Sequence, residues 1–558
     1  MAEQRYGTRI AARDPSLWTD DPDTAERIRQ RLGWVEAPRR ARDDLYELQR
    51  FADEVREEGV SHLLLLGMGG SSLCPLVATR TFGQVEGWPE LIVLDDVDPA
   101  AILAVMERID PLSTLFLVAS KSGSTIETIS LYRHFHDLVA AAGDPRPGAR
   151  FVALTDPGSP LVREAQEKGF RRTFETPSDV GGRFSALTAF GLVPMALAGY
   201  DVAAIVESAL DMQADCAPEI PDASNPALRL GVALATHHEA GRDKLTLLAS
   251  SGLATLPLWI EQLVAESTGK SGTGIIPVTN ESLADPDAYG PDRLFVLLSL
   301  AEERNVADDA RAAALAADGH PVFRIVLPKP EAIGGEFLRW EIATAVAGAL
   351  LGVNPFDEPD VTASKKITRE ILDETPADTM PGGGAPTAVS DSLEVHLDGA
   401  AAWSEGLDRE SADDLVRSFL ELARPDDYCA VLSFVAATRE RELLLQSLQS
   451  ALRRRTGVPA TAGFGPRYLH SSGQLHKGGP NTGVFLLLTA DAARDLPIPE
   501  SDHGFAALQR AQALGDEQAL LQRDRLTVTR RHHRIDRLPH GTRSTVPRAL
   551  GATAPRPR

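Results

Sequence analysis

The sequence predicts an α/β protein built on parallel sheets, and three observations carry that prediction. Short unbroken apolar runs recur along the chain, segments of helical pattern separate them, and no solenoid-like repeat replaces the alternation. A strand covered by helices on both faces reads as a continuous apolar run, whereas a strand with one face in water alternates.

In chain order, residues 1 to about 55 are polar and helix-rich and read as a leader packed on the first domain. His62 to Leu66 is the first buried run, and Leu91 to Leu94, Thr114 to Ala119 and Phe151 to Leu154 repeat it, so residues 56–215 read as that first domain. A second, residues 216–375, has strand candidates at Leu245 to Ala249 and Val322 to Leu327, with helices at Leu256 to Glu266 and Glu336 to Leu351. Residues 376–395, which include Pro381-Gly382-Gly383-Gly384, read as a linker. A third unit, residues 396–535, carries strands near Tyr428 to Phe434 and Gly483 to Thr489. The arginine- and proline-rich stretch 536–558 reads as a disordered, solvated tail.

A chain of 558 residues exceeds what one core organises. Its 43% hydrophobic and 24% charged content is that of a soluble globular protein. The net charge of -22 speaks against nucleic acid or an anionic membrane as partner, since either needs a broad cationic surface. A small anion needs only local N–H groups and one or two cations. Cys74, Cys216 and Cys429 are widely spaced and form no CxxC pair, which fits a reducing cytoplasm. The Met1-Ala2-Glu3-Gln4-Arg5 start lacks the apolar stretch of a signal peptide, and Ile342 to Val353 is too short to span a bilayer. The expectation is a cytoplasmic protein without a membrane span.

Two turns leave apolar runs and enter helices. In Gly67-Met68-Gly69-Gly70-Ser71-Ser72, glycine permits close backbone approach and the following helix offers N–H groups, but the spacing is neither that of a dinucleotide fingerprint nor that of a P-loop. Ser120-Lys121-Ser122-Gly123-Ser124-Thr125 brings four hydroxyls and one ammonium to a helix start. One hydroxyl suffices for a cap, so this loop suits a phosphate dianion better than a capping role.

The second loop resembles the phosphosugar-binding signature of the sugar isomerase (SIS) domain, a flavodoxin-like three-layer αβα unit with a parallel sheet. Three further segments resemble the glucose-6-phosphate isomerase family, in family order and over about residues 60 to 370. Val180-Gly181-Gly182-Arg183-Phe184-Ser185 is similar to its GGR[FY]S motif, Glu261 to Lys270 to its ESxGK motif, and Asn354 to Lys365 to its NPFDQPGVExxK motif. The resemblance implies two SIS domains plus a C-terminal α/β unit, and a hexose 6-phosphate substrate isomerised without cofactor or metal. It implies phosphate contacts from Ser120, Lys121, Ser122, Ser124 and Thr125, and substrate contacts from Gly69, Gly70, Ser71 and Glu358. Glu266 would be the base that moves a proton between neighbouring carbons, Arg183 would hold the enediolate charge, and Lys365 would assist ring opening.

Most relatives place a ring-opening histidine shortly after the glutamate, but Pro277 to Phe295 contains none. Arg467 to Gly479 resembles the bacterial family's histidine-bearing DLHSxGQxxQxG segment, so His470 is expected to fold back onto the Glu266 site, with His476 as the competing choice. Glu358 and Asp360 replace a glutamine and a glycine of the family and are expected to add negative charge near the substrate.

The arrangement resembles the isomerase half of bacterial transaldolase/glucose-6-phosphate isomerase fusions; no transaldolase-sized region exists here, so that activity would have to come from a separate transaldolase partner. Relatives commonly form dimers that share the histidine, so a homodimer is compatible, while a C-terminal histidine can act within one chain. Two alternatives share these motifs: a dual phosphoglucose/phosphomannose isomerase, and a non-catalytic sugar-phosphate sensor. Intact Glu266, Arg183 and Lys365 speak against the sensor, and the missing local histidine speaks for it.

Overall fold

The computed structural model describes residues 5–390, 393–397, 407–408 and 410–532. The first of three sheets contains β1 (His62–Gly67), β2 (Glu90–Leu94), β3 (Thr114–Ala119), β4 (Phe151–Thr155) and β5 (Arg172–Glu175), all parallel in the order β2-β1-β3-β4-β5. The second contains β6 (Lys244–Ala249), β7 (Ile276–Val278), β8 (Arg293–Leu300) and β9 (Val322–Leu327), all parallel in the order β7-β6-β8-β9. The third runs β10-β11-β15-β14-β12-β13, with β10 (Ala388–Ser390), β11 (Leu393–His396), β12 (Tyr428–Phe434), β13 (Ala460–Phe464), β14 (Gly483–Ala490) and β15 (Leu526–His532). Its four-strand core is parallel, while β10 and β11 join antiparallel at one edge.

The fold is the α/β class that the apolar runs predict. Every residue of β3 and β4 is buried, as two helical layers require. β10 and β11 as far as Val395 fall inside the stretch read as a linker. The expected tail, 536–558, lies outside the described residues.

In the first two sheets the strand order reverses between β1 and β3 and between β6 and β8. At such a reversal the turns leaving neighbouring strands diverge and open a crevice at the carboxyl ends. Both loops singled out in the first domain follow β1 and β3, so topology alone brings them together.

One continuous core joins the N-terminal helices to both of these sheets. It contains Trp34 and Phe51, Leu65 and Leu117 of the first sheet, and Trp259, Val296 and Trp340 of the second domain. Burial of each such side chain contributes about 1.5–3 kcal/mol. On the other face of the first sheet, Leu64, Phe116 and Phe151 share a cluster with Ile498, Phe505 and Leu508. Ala265 and Ile276 of the second domain cluster with Tyr428, Tyr468 and Leu475. The third unit is therefore wedged against both others. Helices Val361–Glu374 and Phe505–Leu521 approach so closely that a Cβ on Gly515 would lie 2.5 Å from Thr368 Oγ1.

Glu341 is a carboxyl set deep in this interior. It lies on the helix Ile333–Leu350, is 0% exposed, and neither carboxyl oxygen has a hydrogen-bond partner. Burial holds its carboxyl well above the ordinary range, so the folded protein keeps it protonated. A raised folded value contributes stability that is full below the unfolded pKa and is lost as pH rises toward the folded one. Glu341→Gln should therefore gain on the wild type as pH rises, by about 1.4 kcal/mol per unit separating the two values. Denaturant unfolding of both proteins from pH 5 to 9 checks this, and a constant difference would refute it.

Candidate active site

Ser120 directly follows β3 and is buried, whereas Ser122 and Ser124 are exposed at the head of the helix Ile126–Ala141. Thr125 occupies the N-cap, but its hydroxyl pairs with Ser120 Oγ at 3.0 Å instead of capping a helix N–H. The first-turn N–H groups thus stay free of side-chain caps beside two exposed hydroxyls, an arrangement suited to an anion. Lys121 has a partner outside the loop. Its ammonium is ion-paired with Asp156, which also accepts from Thr176 Oγ1 at 2.6 Å. The lysine charge is already neutralised, so hydroxyls and amides are the remaining donors of this loop.

The turn after β1 is packed rather than open. Gly69 has φ +57°, and a Cβ there would lie 2.8 Å from both Gln262 Nε2 and the His470 carbonyl oxygen. A Cβ on Gly70 would lie 2.0 Å from the Gly182 carbonyl oxygen, and Ser71 is buried. Gly69, Gly70 and Ser71, expected to face substrate, form the junction on which the Arg183 and His470 segments rest.

Arg183, 4% exposed, lies in the 3-10 helix Gly182–Phe184 and crosses from the first domain to the second. It donates to Ser267 Oγ at 2.8 Å and to the carbonyls of Pro355 and Asp357 at 2.6 and 2.9 Å. Its Nη1 also lies 3.2 Å from Glu358 and 3.4 Å from Glu266. Glu266, near the end of the helix Leu256–Thr268, has a side chain only 12% exposed. Burial pushes its carboxyl above the usual range; Arg183 opposes the shift, Glu358 reinforces it, and Lys270 and His470 oppose it.

Lys270 was not singled out in the sequence, yet it is fixed by the Asn354 carbonyl at 2.6 Å and Asp357 Oδ1 at 2.7 Å. Burial first, then Arg183, bring its pKa down to about 8.

The His470 segment does reach this place. His470 closes the 3-10 helix Arg467–His470, and its Nε2 lies 2.9 Å from Glu127 Oε1. Its carbonyl accepts from Gln262 Nε2 at 2.6 Å. Glu127, 3% exposed, also accepts from Gln512 Nε2 at 2.7 Å. Burial works against the Glu127 charge, but His470 and, more weakly, Lys365 outweigh it and hold the carboxyl at about 2. An ionised Glu127 fixes Nε2 as the donor nitrogen of His470. Glu127 lies two residues beyond Thr125, where a glutamate reads simply as a complement to the helix dipole, and Gln512 carries no motif at all.

Lys365 is exposed on the helix Val361–Glu374 and reaches the site only through its charge. His476 is excluded. It is 3% exposed in the third unit's core, 3.0 Å from Tyr428 Oη, and burial, Lys477 and Arg525 push its pKa down to about 3.

Asp360 also corrects an expectation. Its carboxylate accepts from Gln474 at 2.7 Å and pairs with Arg523 at 2.8 Å, so its charge is spent on the third unit. Glu358 is held by Arg183; burial would raise its carboxyl, but Arg183 lowers it.

The second sheet has a counterpart of these turns. After β6, Ser250 and Ser251 donate their hydroxyls, and Gly252 its N–H at 2.9 Å, to the carboxylate of Glu303. That counterpart turn is filled by the chain's own anion. Among the described residues no group of His, Cys, Asp and Glu is placed to hold a metal ion, and no helix is long and apolar enough to cross a membrane.

The family model described as phosphoglucose isomerase matches residues 50–282. The chain is 32% identical over 387 residues to the glucose-6-phosphate isomerase of Rubrobacter xylanophilus, across 60% of this chain and 88% of that protein. It is 30% identical over 384 residues to a glucose-6-phosphate isomerase of Thermus thermophilus, across 61% of this chain and 90% of that one. Among solved structures, a hypothetical protein of Thermus thermophilus aligns with a TM-score of 0.56 at 29% identity, over 66% of this chain and 95% of its own. A glucose-6-phosphate isomerase of Chlamydia trachomatis aligns with a TM-score of 0.50 at 22% identity, over 67% of this chain and 79% of its own, a likeness of fold.

Gly70→Ala tests the junction. Its Cβ has no room against the Gly182 carbonyl, so the variant should lose about 1–3 kcal/mol of stability. Denaturant unfolding beside Gly182→Ala, whose Cβ meets nothing within 4 Å, isolates the effect; equal stability of the two variants would contradict it.

Proposed function

This chain belongs to the phosphoglucose isomerase family and is an aldose–ketose isomerase, and we propose that it interconverts glucose 6-phosphate and fructose 6-phosphate. The observation that carries the proposal is Glu266, a nearly buried carboxylate 3.4 Å from the Arg183 guanidinium, with the His470–Glu127 pair beside it.

Burial keeps Glu266 basic enough to take a proton from a carbon next to a carbonyl. In the aldose direction it removes the C2 proton, the electron pair forms the C1–C2 double bond, and the carbonyl oxygen becomes the enediolate oxygen. The O2 hydroxyl proton passes to O1, the same carboxyl returns its proton to C1, and the C2–O2 bond becomes the ketone. Arg183 stabilises the enediolate without releasing a proton of its own. As the bond from the anomeric carbon to the ring oxygen breaks, His470, its Nε2–H held by Glu127, passes a proton from Nδ1 to the ring oxygen and regains one from the anomeric hydroxyl, which becomes the carbonyl, with the charge of Lys365 alongside. The Ser120–Thr125 loop anchors the phosphate through hydroxyls and helix N–H groups.

Arg183, Glu266, Glu127 and His470 all come from one chain, so the proposed chemistry does not need a second copy. Intact Glu266 and Arg183 weigh against a non-catalytic sensor.

A coupled assay of glucose 6-phosphate formation should show Glu266→Gln losing about 10²–10⁴-fold in kcat; absence of turnover in the wild type would leave the sensor standing. His470→Ala should lose far more on fructose 6-phosphate than on 5-deoxyfructose 6-phosphate. That analogue stays open because it lacks O5 and its O6 is esterified. Equal losses on the two would sink the ring-opening role.

The base must be ionised, so kcat/KM should rise with pH through a value above the usual carboxylate range. Glu358→Gln removes a like charge that raises Glu266, and the acid limb should move to lower pH. A limb that stays or rises would show that Glu358 does not act on the base.

A further inference from the structure

We propose that Asp95 and Arg467 form a positioning clamp for His470, an inference that deepens the reading of His470 as the ring-opening residue. Arg467 and His470 stand at opposite ends of the same four-residue 3-10 helix. Such a helix makes few internal hydrogen bonds, so its placement depends on what holds it from outside.

Asp95 leaves the carboxyl end of β2, and its side chain is 2% exposed. Arg467 grips it with a two-pronged contact, Nε to Oδ2 at 2.7 Å and Nη2 to Oδ1 at 2.6 Å. Ser72, in the turn after β1, donates a longer bond to Oδ2 at 3.4 Å. The fork fixes the plane and the direction of the arginine as well as its distance.

The other end of the helix is tied differently. Gln262 donates to the His470 carbonyl at 2.6 Å from the helix that carries Glu266, one turn before the base and on the same face. Between the two ends, Tyr468 Oη donates to Asp516 Oδ2 at 2.7 Å within the third unit. The first domain therefore holds the Arg467 end of the helix through Asp95, Gln262 of the second domain and Glu127 of the first together hold the His470 end, and the third unit holds the middle. Neither Asp95 nor Arg467 is assigned a contact with substrate; they act through where they place the imidazole. Burying two opposite charges here gains little net stability by itself, which fits a pair retained for geometry.

A catalytic group displaced by about 1 Å costs about 10²-fold in rate. Asp95→Asn keeps the shape and removes the charge, and Arg467→Lys keeps the charge and removes the fork. Each variant, as the full chain, should lose about 10- to 100-fold in kcat/KM on fructose 6-phosphate and less than about twofold on 5-deoxyfructose 6-phosphate. The open-chain substrate reports in the same sample that fold and base are intact. Equal losses on both substrates in both variants, or no loss on fructose 6-phosphate, overturn the clamp.

His470→Ala and the double variant Asp95→Asn/His470→Ala separate this inference from the reading beneath it. If His470→Ala alone falls equally on both substrates, the ring-opening reading fails. The clamp is then judged by the double variant on fructose 6-phosphate. No further loss beyond His470→Ala upholds it, and a fully additive loss overturns it.

Discussion

Arg183 is the constraint on which the site depends. One guanidinium on the first domain satisfies a hydroxyl, two carbonyls and two carboxylates contributed by the second. A cation this deeply buried persists only when its donors are matched, so the loop that supplies Pro355, Asp357 and Glu358 cannot drift without leaving a charge unsatisfied. The same cation sets the chemistry of its neighbours. It restrains the rise that burial imposes on Glu266 and overcomes it on Glu358, and it helps to depress Lys270. Position and proton affinity are thus fixed by one group, which leaves little freedom to alter either alone.

Around that hub the third unit completes what two domains leave open. It shares apolar clusters with both, and the 3-10 helix bearing His470 arrives between the turn after β1 and the helix of Glu266. Asp360 shows how the fit was reached. A family glycine position holds an aspartate here, and its carboxylate is taken up by Gln474 and Arg523 of the third unit. A Cβ on Gly478 would lie 2.3 Å from Asp360 Oδ2, so the two positions are matched in size as well as charge.

The legible parts of the sequence were those whose signal is local. Apolar runs announce β1, β3 and β4 because both faces of these strands are covered, and the hydroxyl-rich loop announces itself by composition. β8 carries an equally apolar run, yet the strand expectations for the second domain omit it. β5 at an edge and β15 with its arginines lack the pattern because they are not buried along their whole length. The partners of Lys121 and Asp360 were not legible for one reason: a charge says nothing about its partner, and Asp156 and Arg523 are far off in the chain. Glu127 and His470 are 343 residues apart, and only the packed fold makes them a pair.

The turn after β6, where Glu303 sits among Ser250, Ser251 and Gly252, bears on how many ligands the duplicated fold takes up. Two like halves suggest two equivalents of anion per chain. One half holds its own carboxylate, an intramolecular anion that a diffusing phosphate would have to displace. On the proposed reading, the chain is twofold in architecture and single in stoichiometry. The second domain then supplies the base and leaves recognition of the phosphate to the first.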